Sequence, residues 1–170
     1  MTKAKDFVKA LQTAGHGGVE TVDDARNRQK LEWLRDLDSL LGSIRHWLEP
    51  VREAGLATVA DKDFSLAEPD VGQYAAPGME ITFVVAGETR TVSVRPRGLR
   101  IAGVVATGGA RAIGARGRVD LESGVAREIL LRFKDAEAAT WVSFTGGEKR
   151  PLDEDVFFEL VARVADVNLR

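Results

Sequence analysis

Seven arginines and no acidic residue lie between residues 89 and 119, although the whole chain of 170 residues is nearly balanced, with 24 basic and 26 acidic side chains. Arginine between glycines suits phosphate binding, because a planar, permanently charged guanidinium approaches an anion closely when its neighbours have no bulk. Arg90 lies next to a predicted turn. The stretch predicts an anion- or partner-binding surface made of the other six: Arg95, Arg97, Arg100, Arg111, Arg116 and Arg118.

The same arginines fit a second interpretation. Acidic residues are concentrated in segments 50–88 and 120–170, so ion pairs within the chain would neutralise the stretch. No aromatic residue lies between residues 89 and 119 on which a base could stack, which makes nucleic acid the less favoured ligand. Internal pairing and an anionic or protein partner therefore both stay open.

The run VVATGGARAIG, from Val104 to Gly114, resembles the cofactor loop of short-chain dehydrogenases, in which Thr-Gly-x-x-x-Gly-x-Gly follows an apolar strand. The resemblance implies a dinucleotide site, but three departures argue against one. Ala112 replaces the middle glycine, where a methyl group obstructs close approach to the pyrophosphate. Turn and strand residues follow, where the family has a crossover helix. The catalytic Tyr-x-x-x-Lys pair is missing, since the only tyrosine, Tyr74, precedes Gly78 by four residues. We expect no cofactor.

Other reactive residues form no recognisable catalytic arrangement. The chain has no cysteine, no Gly-Lys-Ser/Thr loop and no Gly-x-Ser-x-Gly motif. His16 is predicted in a loop, and Glu49, three residues after His46, reads as a surface neighbour of that histidine rather than a second metal ligand. The acidic run beginning at Asp153 is typical of a helix start. We expect no metal site and no enzymatic activity.

Two helices are predicted ahead of any strand. The first runs from a cap at Thr2 to Gly15, and the second begins at Thr21, with Asp24 in a variant of the capping box. The second helix carries one apolar stripe, which must be covered either by the chain's own sheet or by another chain. The candidate interface residues on this stripe are Leu34, Leu37, Leu41, Ile44 and Leu48.

Beyond Gly55 the apolar period changes from 3.6 to 2, which predicts short strands. Segment 68–78, rich in proline and glycine, is predicted to form turns or an edge segment, and segment 96–98 is predicted to form a turn. A final helix is predicted after its cap at Asp153. The predicted fold is α+β: a mainly antiparallel β-meander of about 5–7 strands, preceded by two helices, the second long, and closed by a C-terminal helix. The predicted strands cover segments 57–66, 79–85, 89–95, 99–106, 118–121, 125–133 and 141–144.

These patterns favour a cytoplasmic interaction or assembly protein. No apolar run approaches the ~20 residues of a membrane span, and the N-terminus lacks a signal-peptide core. Residues 1–52 are expected to form a helical region for self-association or partner binding, and residues 57–170 a sheet domain that stays folded without it. A homo-oligomer or a protein partner is therefore predicted. The alternative is a nucleic-acid or anionic-ligand module that uses stretch 89–119.

Overall fold

The computed structural model describes residues 3–8, 21–99, 114–135, 138–144 and 148–168. A long helix precedes seven strands that pair antiparallel in chain order, and a second helix follows them. The predicted α+β meander is thus confirmed. The elements are α1 (Val22–Glu53), β1 (Ala57–Glu68), β2 (Gly72–Val85), β3 (Glu88–Gly98), β4 (Arg118–Ser123), β5 (Ala126–Lys134), β6 (Ala139–Ser143), β7 (Arg150–Pro151) and α2 (Glu154–Val164).

Helix α1 begins where the sequence predicted. The hydroxyl of Thr21 accepts a hydrogen bond from the backbone N–H of Asp24, which satisfies one of the free donors of the first turn. The helix continues through Pro50 and is capped at Ala54. Residues 3–8 are also helical, and the remainder of the first predicted helix lies outside the described residues.

Segment 68–78, predicted as turns or an edge segment, has a turn at residues 69–71 and continues as strand β2 from Gly72. Pro77 lies within β2 and pairs with Asp63 of β1. Pairing of β2 with β3 begins only at Met79, so Pro77 lies where β2 has one neighbour and one open side, and a missing N–H is tolerated there. Gly78 is required by packing, because a Cβ at this position would lie 2.5 Å from the carbonyl oxygen of Val94.

Strand β3 corrects the prediction that segment 96–98 forms a turn. Pro96 and Gly98 pair with β4, and a bulge between them shifts the register. A tight turn joins β2 to β3, and its two central residues, Ala86 and Gly87, both have positive φ. The residues after β3, including most of predicted strand 99–106 and of the dehydrogenase-like loop, lie outside the described residues.

One hydrophobic core joins both helices to the sheet. It contains apolar side chains from α1, from strands β1 to β5 and from α2. Asp153 caps α2 by accepting the backbone N–H of Val156 at 2.8 Å, as the sequence predicted. A smaller cluster with Leu131 and Val142 at its centre forms a second core. Helix α1 and the sheet therefore share one core, and the division of the chain near residue 52 stays a prediction.

Candidate functional site

The arginine stretch does not form one surface in the described structure. Asp120, with no exposed surface, lies 2.9 Å from Nε of Arg97 and 2.7 Å from Nε of Arg118. Arg97 also pairs with Glu122, and Arg127 approaches both carboxylates. Burial disfavours the charge of Arg97, but the hydrogen bonds to its two carboxylates outweigh burial and raise its pKa. Two of the predicted anion-binding arginines are therefore already neutralised inside the chain.

The other arginines of the stretch have different partners, although Arg95 pairs in register with Asp120. The guanidinium of Arg95 stacks over the ring of Phe64, with its central carbon 5.4 Å from the ring centre. Arg90 donates a hydrogen bond to the carbonyl of Ala165 at the end of α2. Arg116 is exposed beside β5. Arg100 and Arg111 lie outside the described residues.

The predicted interface stripe of α1 packs on the chain's own sheet. Four of its five residues are 0–1% exposed in the core, and Leu34 is half-buried against it. An interface built from this stripe would require α1 to leave the sheet, so it stays an untested prediction. The four buried residues are Leu37, Leu41, Ile44 and Leu48.

A groove runs between α1 and the strands β6 and β7, which we call the tryptophan groove. It has a volume of about 410 Å³. Trp47 and Trp141 line it, both half-buried, and neither indole N–H has an acceptor among the described residues. The sequence gives no sign that Trp47 and Trp141, 94 positions apart, line the same groove. The other lining residues are Asp36, Ser39, Leu40, Ser43, Ala139, Thr140, Pro151 and Leu152.

A second cavity, the basic pocket, lies on the N-terminal half of α1, where the end of β3 meets β5. Its volume is about 190 Å³. Three cationic side chains line it, of which only Arg116 was a predicted site residue. Sequence reasoning missed Arg132 and Lys134, because a single arginine and a single lysine on an apolar strand form no recognisable motif. The lining residues are Gln29, Glu32, Leu99, Arg116, Arg132 and Lys134.

A buried ion pair forms the floor of the basic pocket. Arg132, only 2% exposed, donates to one carboxylate oxygen of Asp36 through Nε at 2.9 Å and Nη2 at 2.6 Å. Lys134 Nζ donates to the same oxygen at 2.9 Å. Burial raises the pKa of Asp36, but the hydrogen bonds from Lys134 and Arg132 outweigh it and hold that pKa below its ordinary value. Asp36 is therefore an ionised anchor for two cations of β5.

Tyr74 and Glu68 form another partly buried polar pair. The phenol donates a hydrogen bond to the carboxylate. Burial, followed by this hydrogen bond and the charge of Glu68, raises the pKa of Tyr74. The phenol thus stays protonated and acts as a fixed donor in the wall formed by β1 and β2.

Among the described residues, no three His, Cys, Asp or Glu side chains are grouped to hold a metal ion. His46 lies 3.9 Å from Glu49, and both are exposed. None of the described helices combines the length and apolar character needed to cross a membrane. No protein-family model, curated protein or solved structure matches this chain. The two cavities and the surface are therefore the features from which a function can be inferred.

Proposed function

We propose that this chain is a non-enzymatic assembly protein that self-associates through its N-terminal helical segment, residues 3–8. The observation that carries the proposal is the exposure of this segment's apolar side. Phe7 is 65% exposed and Val8 is 51% exposed, whereas four of the five stripe residues of α1 are buried and Leu34 is half-buried. A short amphipathic helix has little stability in water and needs a surface on which to place its apolar side.

The tryptophan groove suits such a helix. Indole rings are frequent anchors of protein interfaces because they offer large apolar area and a hydrogen-bond donor. The groove follows α1 from Asp36 to Trp47, which is about 16 Å at 1.5 Å per residue, and a six-residue helix is about 9 Å long. The hydroxyls of Ser39, Ser43 and Thr140 supply polar groups along its sides.

The proposed contact joins two copies of the chain. Within one chain the segment 3–8 is exposed and does not occupy the groove. Twelve residues, 9–20, separate it from Thr21 and span at most about 40 Å, which lets it reach a neighbouring molecule. If each copy receives the segment of the other, the two contacts are equivalent and the assembly closes as a two-fold dimer.

Size-exclusion chromatography with light scattering tests this proposal. We expect the full chain to be a dimer and Phe7→Ser/Val8→Ser to be a monomer with an unchanged melting temperature, because the replaced side chains lie outside the core. Val125→Ser, at the exposed tip of the β4–β5 hairpin, is the matched control and should remain a dimer. A monomeric full chain, or a double variant that remains dimeric, would refute the proposal.

Nucleic-acid binding through stretch 89–119 stays the alternative prediction. Two of its arginines are already paired with buried Asp120, which reduces the charge available to phosphates. The described part of the stretch therefore supports a local anion site better than an extended nucleic-acid surface.

A further inference from the structure

We propose that the basic pocket binds a phosphate group. The pocket shares no lining residue with the tryptophan groove, although Asp36, which lines the groove, also holds Arg132 and Lys134 of the pocket. Its volume of about 190 Å³ is well below the ~300–1,000 Å³ of pockets that hold drug-sized ligands. The cavity therefore admits a small anion or one terminal group of a larger molecule.

The wall of the pocket that contains Arg132 is rigid. The guanidinium is held by Asp36, donates through Nη1 to the carbonyl of Arg116, and stacks on Trp33, 5.7 Å from the ring centre. Its backbone N–H donates to Gly117, and its carbonyl accepts from the N–H of Arg116. Fixed donors bind an anion with little loss of conformational freedom, which favours affinity.

Arg116 supplies the free charge. Its backbone is fixed on β5 by two hydrogen bonds with Arg132: its N–H donates to the carbonyl of Arg132, and its carbonyl accepts from Nη1 of Arg132. Its guanidinium donates only to the adjacent carbonyl of Ala115, at 3.2 Å, and meets no carboxylate among the described residues. Arg97 and Arg118, in contrast, are held by Asp120. An arginine with most of its five donors free, beside a cavity, is a suitable ligand for an oxyanion.

The charge balance around the pocket favours an anion. Asp36 is shared between Arg132 and Lys134, and the carboxylate of Glu32 lies 3.8 Å from Lys134 Nζ. Three cations thus face two carboxylates, and Arg116 carries the excess positive charge. A bound anion would neutralise this excess in a site where solvent screening is reduced.

Glu32 makes the pocket selective among oxyanions. A carboxylate in the lining accepts a hydrogen bond from an anion that still carries a proton, but repels one that has none. At neutral pH inorganic phosphate carries a P–OH group in both of its forms and a phosphomonoester carries one only in a minor fraction, whereas sulfate has no proton to donate. The pocket should therefore prefer phosphate to sulfate, although cationic donors alone would bind both.

Isothermal titration calorimetry of the full chain with sodium phosphate, phosphoserine and sodium sulfate, at neutral pH and matched ionic strength, tests this inference. We expect saturable binding of inorganic phosphate or phosphoserine and much weaker binding of sulfate. Arg116→Gln should weaken binding about tenfold or more, since it removes charge-assisted hydrogen bonds without disturbing the core. Glu32→Gln should remove the preference for phosphate over sulfate, because an amide also donates to sulfate.

Arg52→Gln is the matched control, since Arg52 is exposed at the other end of α1 and has no ion pair among the described residues. It should bind phosphate as the unaltered chain does. Binding of phosphoserine alone would assign the pocket to a phosphomonoester, and binding of inorganic phosphate to the free ion. No saturable binding of either, equal binding by Arg116→Gln, or equal loss in the control would overturn the proposal.

Discussion

Trp33 is the residue on which the packing around the basic pocket depends. Its ring has no exposed surface, lies beneath Arg132 and tilts against Trp141 with 6.0 Å between ring centres. Gly117 lies directly against the same ring, with φ of +153°. A Cβ at this position would lie 2.7 Å from Cε3 of the indole and closer still to Cζ3. Only glycine lets the backbone approach the ring this closely.

Gly117→Ala is therefore expected to lower the free energy of unfolding by about 2–4 kcal/mol, because the methyl group overpacks a rigid, buried ring and the backbone conformation disfavours a side chain. Gly42→Ala is the matched comparison. Gly42 lies within α1 with no atom near its missing Cβ, so alanine should stabilise the protein by about 0.8 kcal/mol. Urea unfolding of both variants measures whether the free energy of unfolding falls for Gly117→Ala and rises for Gly42→Ala. Similar effects for the two substitutions would contradict the packing argument.

Between elements, the contact that sequence reasoning could not foresee is the pair Asp36–Arg132, whose residues are 96 positions apart. It fixes α1 to β5. Removing one partner of a buried ion pair leaves the other charged and desolvated, which is far more costly than replacing both partners by apolar groups. The pair thus specifies how the helix lies on the sheet more than it adds stability.

Asp36→Asn should destabilise the protein by about 3 kcal/mol at neutral pH, because Arg132 keeps its charge and loses its counter-ion. Asp36→Leu combined with Arg132→Met should recover only part of this loss, because Lys134 still loses its hydrogen bond to Asp36 and the carbonyl of Arg116 has one hydrogen bond fewer. The lowered pKa of Asp36 adds a pH test. The ionised Asp36 carboxylate contributes fully to stability above its pKa in the unfolded chain, about 3.9. This contribution is lost as the pH falls through the lower pKa of Asp36 in the folded protein.

Guanidinium unfolding between about pH 6 and pH 3 measures this dependence. The stability difference between the unaltered chain and Asp36→Asn should shrink toward acid pH. A difference that stays constant across this range would show that the carboxylate charge is not what stabilises the contact.

The elements themselves were largely predictable, since caps and apolar periodicity are local properties of the sequence. The start of α1 at Thr21 and of α2 after Asp153 both follow from such signals. The sequence left segment 68–78 open between turns and an edge segment. The placement of Pro77 and Gly78 in β2 depends on partners far along the chain: an open side of the sheet for one, and Phe64 with Val94 for the other. The basic pocket and the tryptophan groove were unpredictable for the same reason.

At the scale of the whole molecule, helix α1 is part of the core rather than an appendage. Six of its apolar side chains are buried against the sheet and α2: Trp33, Leu37, Leu40, Leu41, Ile44 and Leu48. Burying such a side chain contributes about 1.5–3 kcal/mol, so together they rival the ~5–15 kcal/mol by which whole domains are stable. The sheet without α1 would expose its apolar face to water.

Two truncations separate the roles of the N-terminal region. Removal of residues 1–20 keeps Thr21 as the cap of α1, so we expect cooperative melting with a temperature close to that of the full chain, together with loss of the dimer. Removal of residues 1–52 should abolish cooperative melting, in contrast to the sequence-based expectation of a sheet domain that folds alone. Circular dichroism melting measures the folding of both truncated forms, and light scattering measures their oligomeric state. A cooperatively folded 53–170 fragment would show that the sheet and α2 suffice for the fold, and that α1 only covers a surface they can leave open.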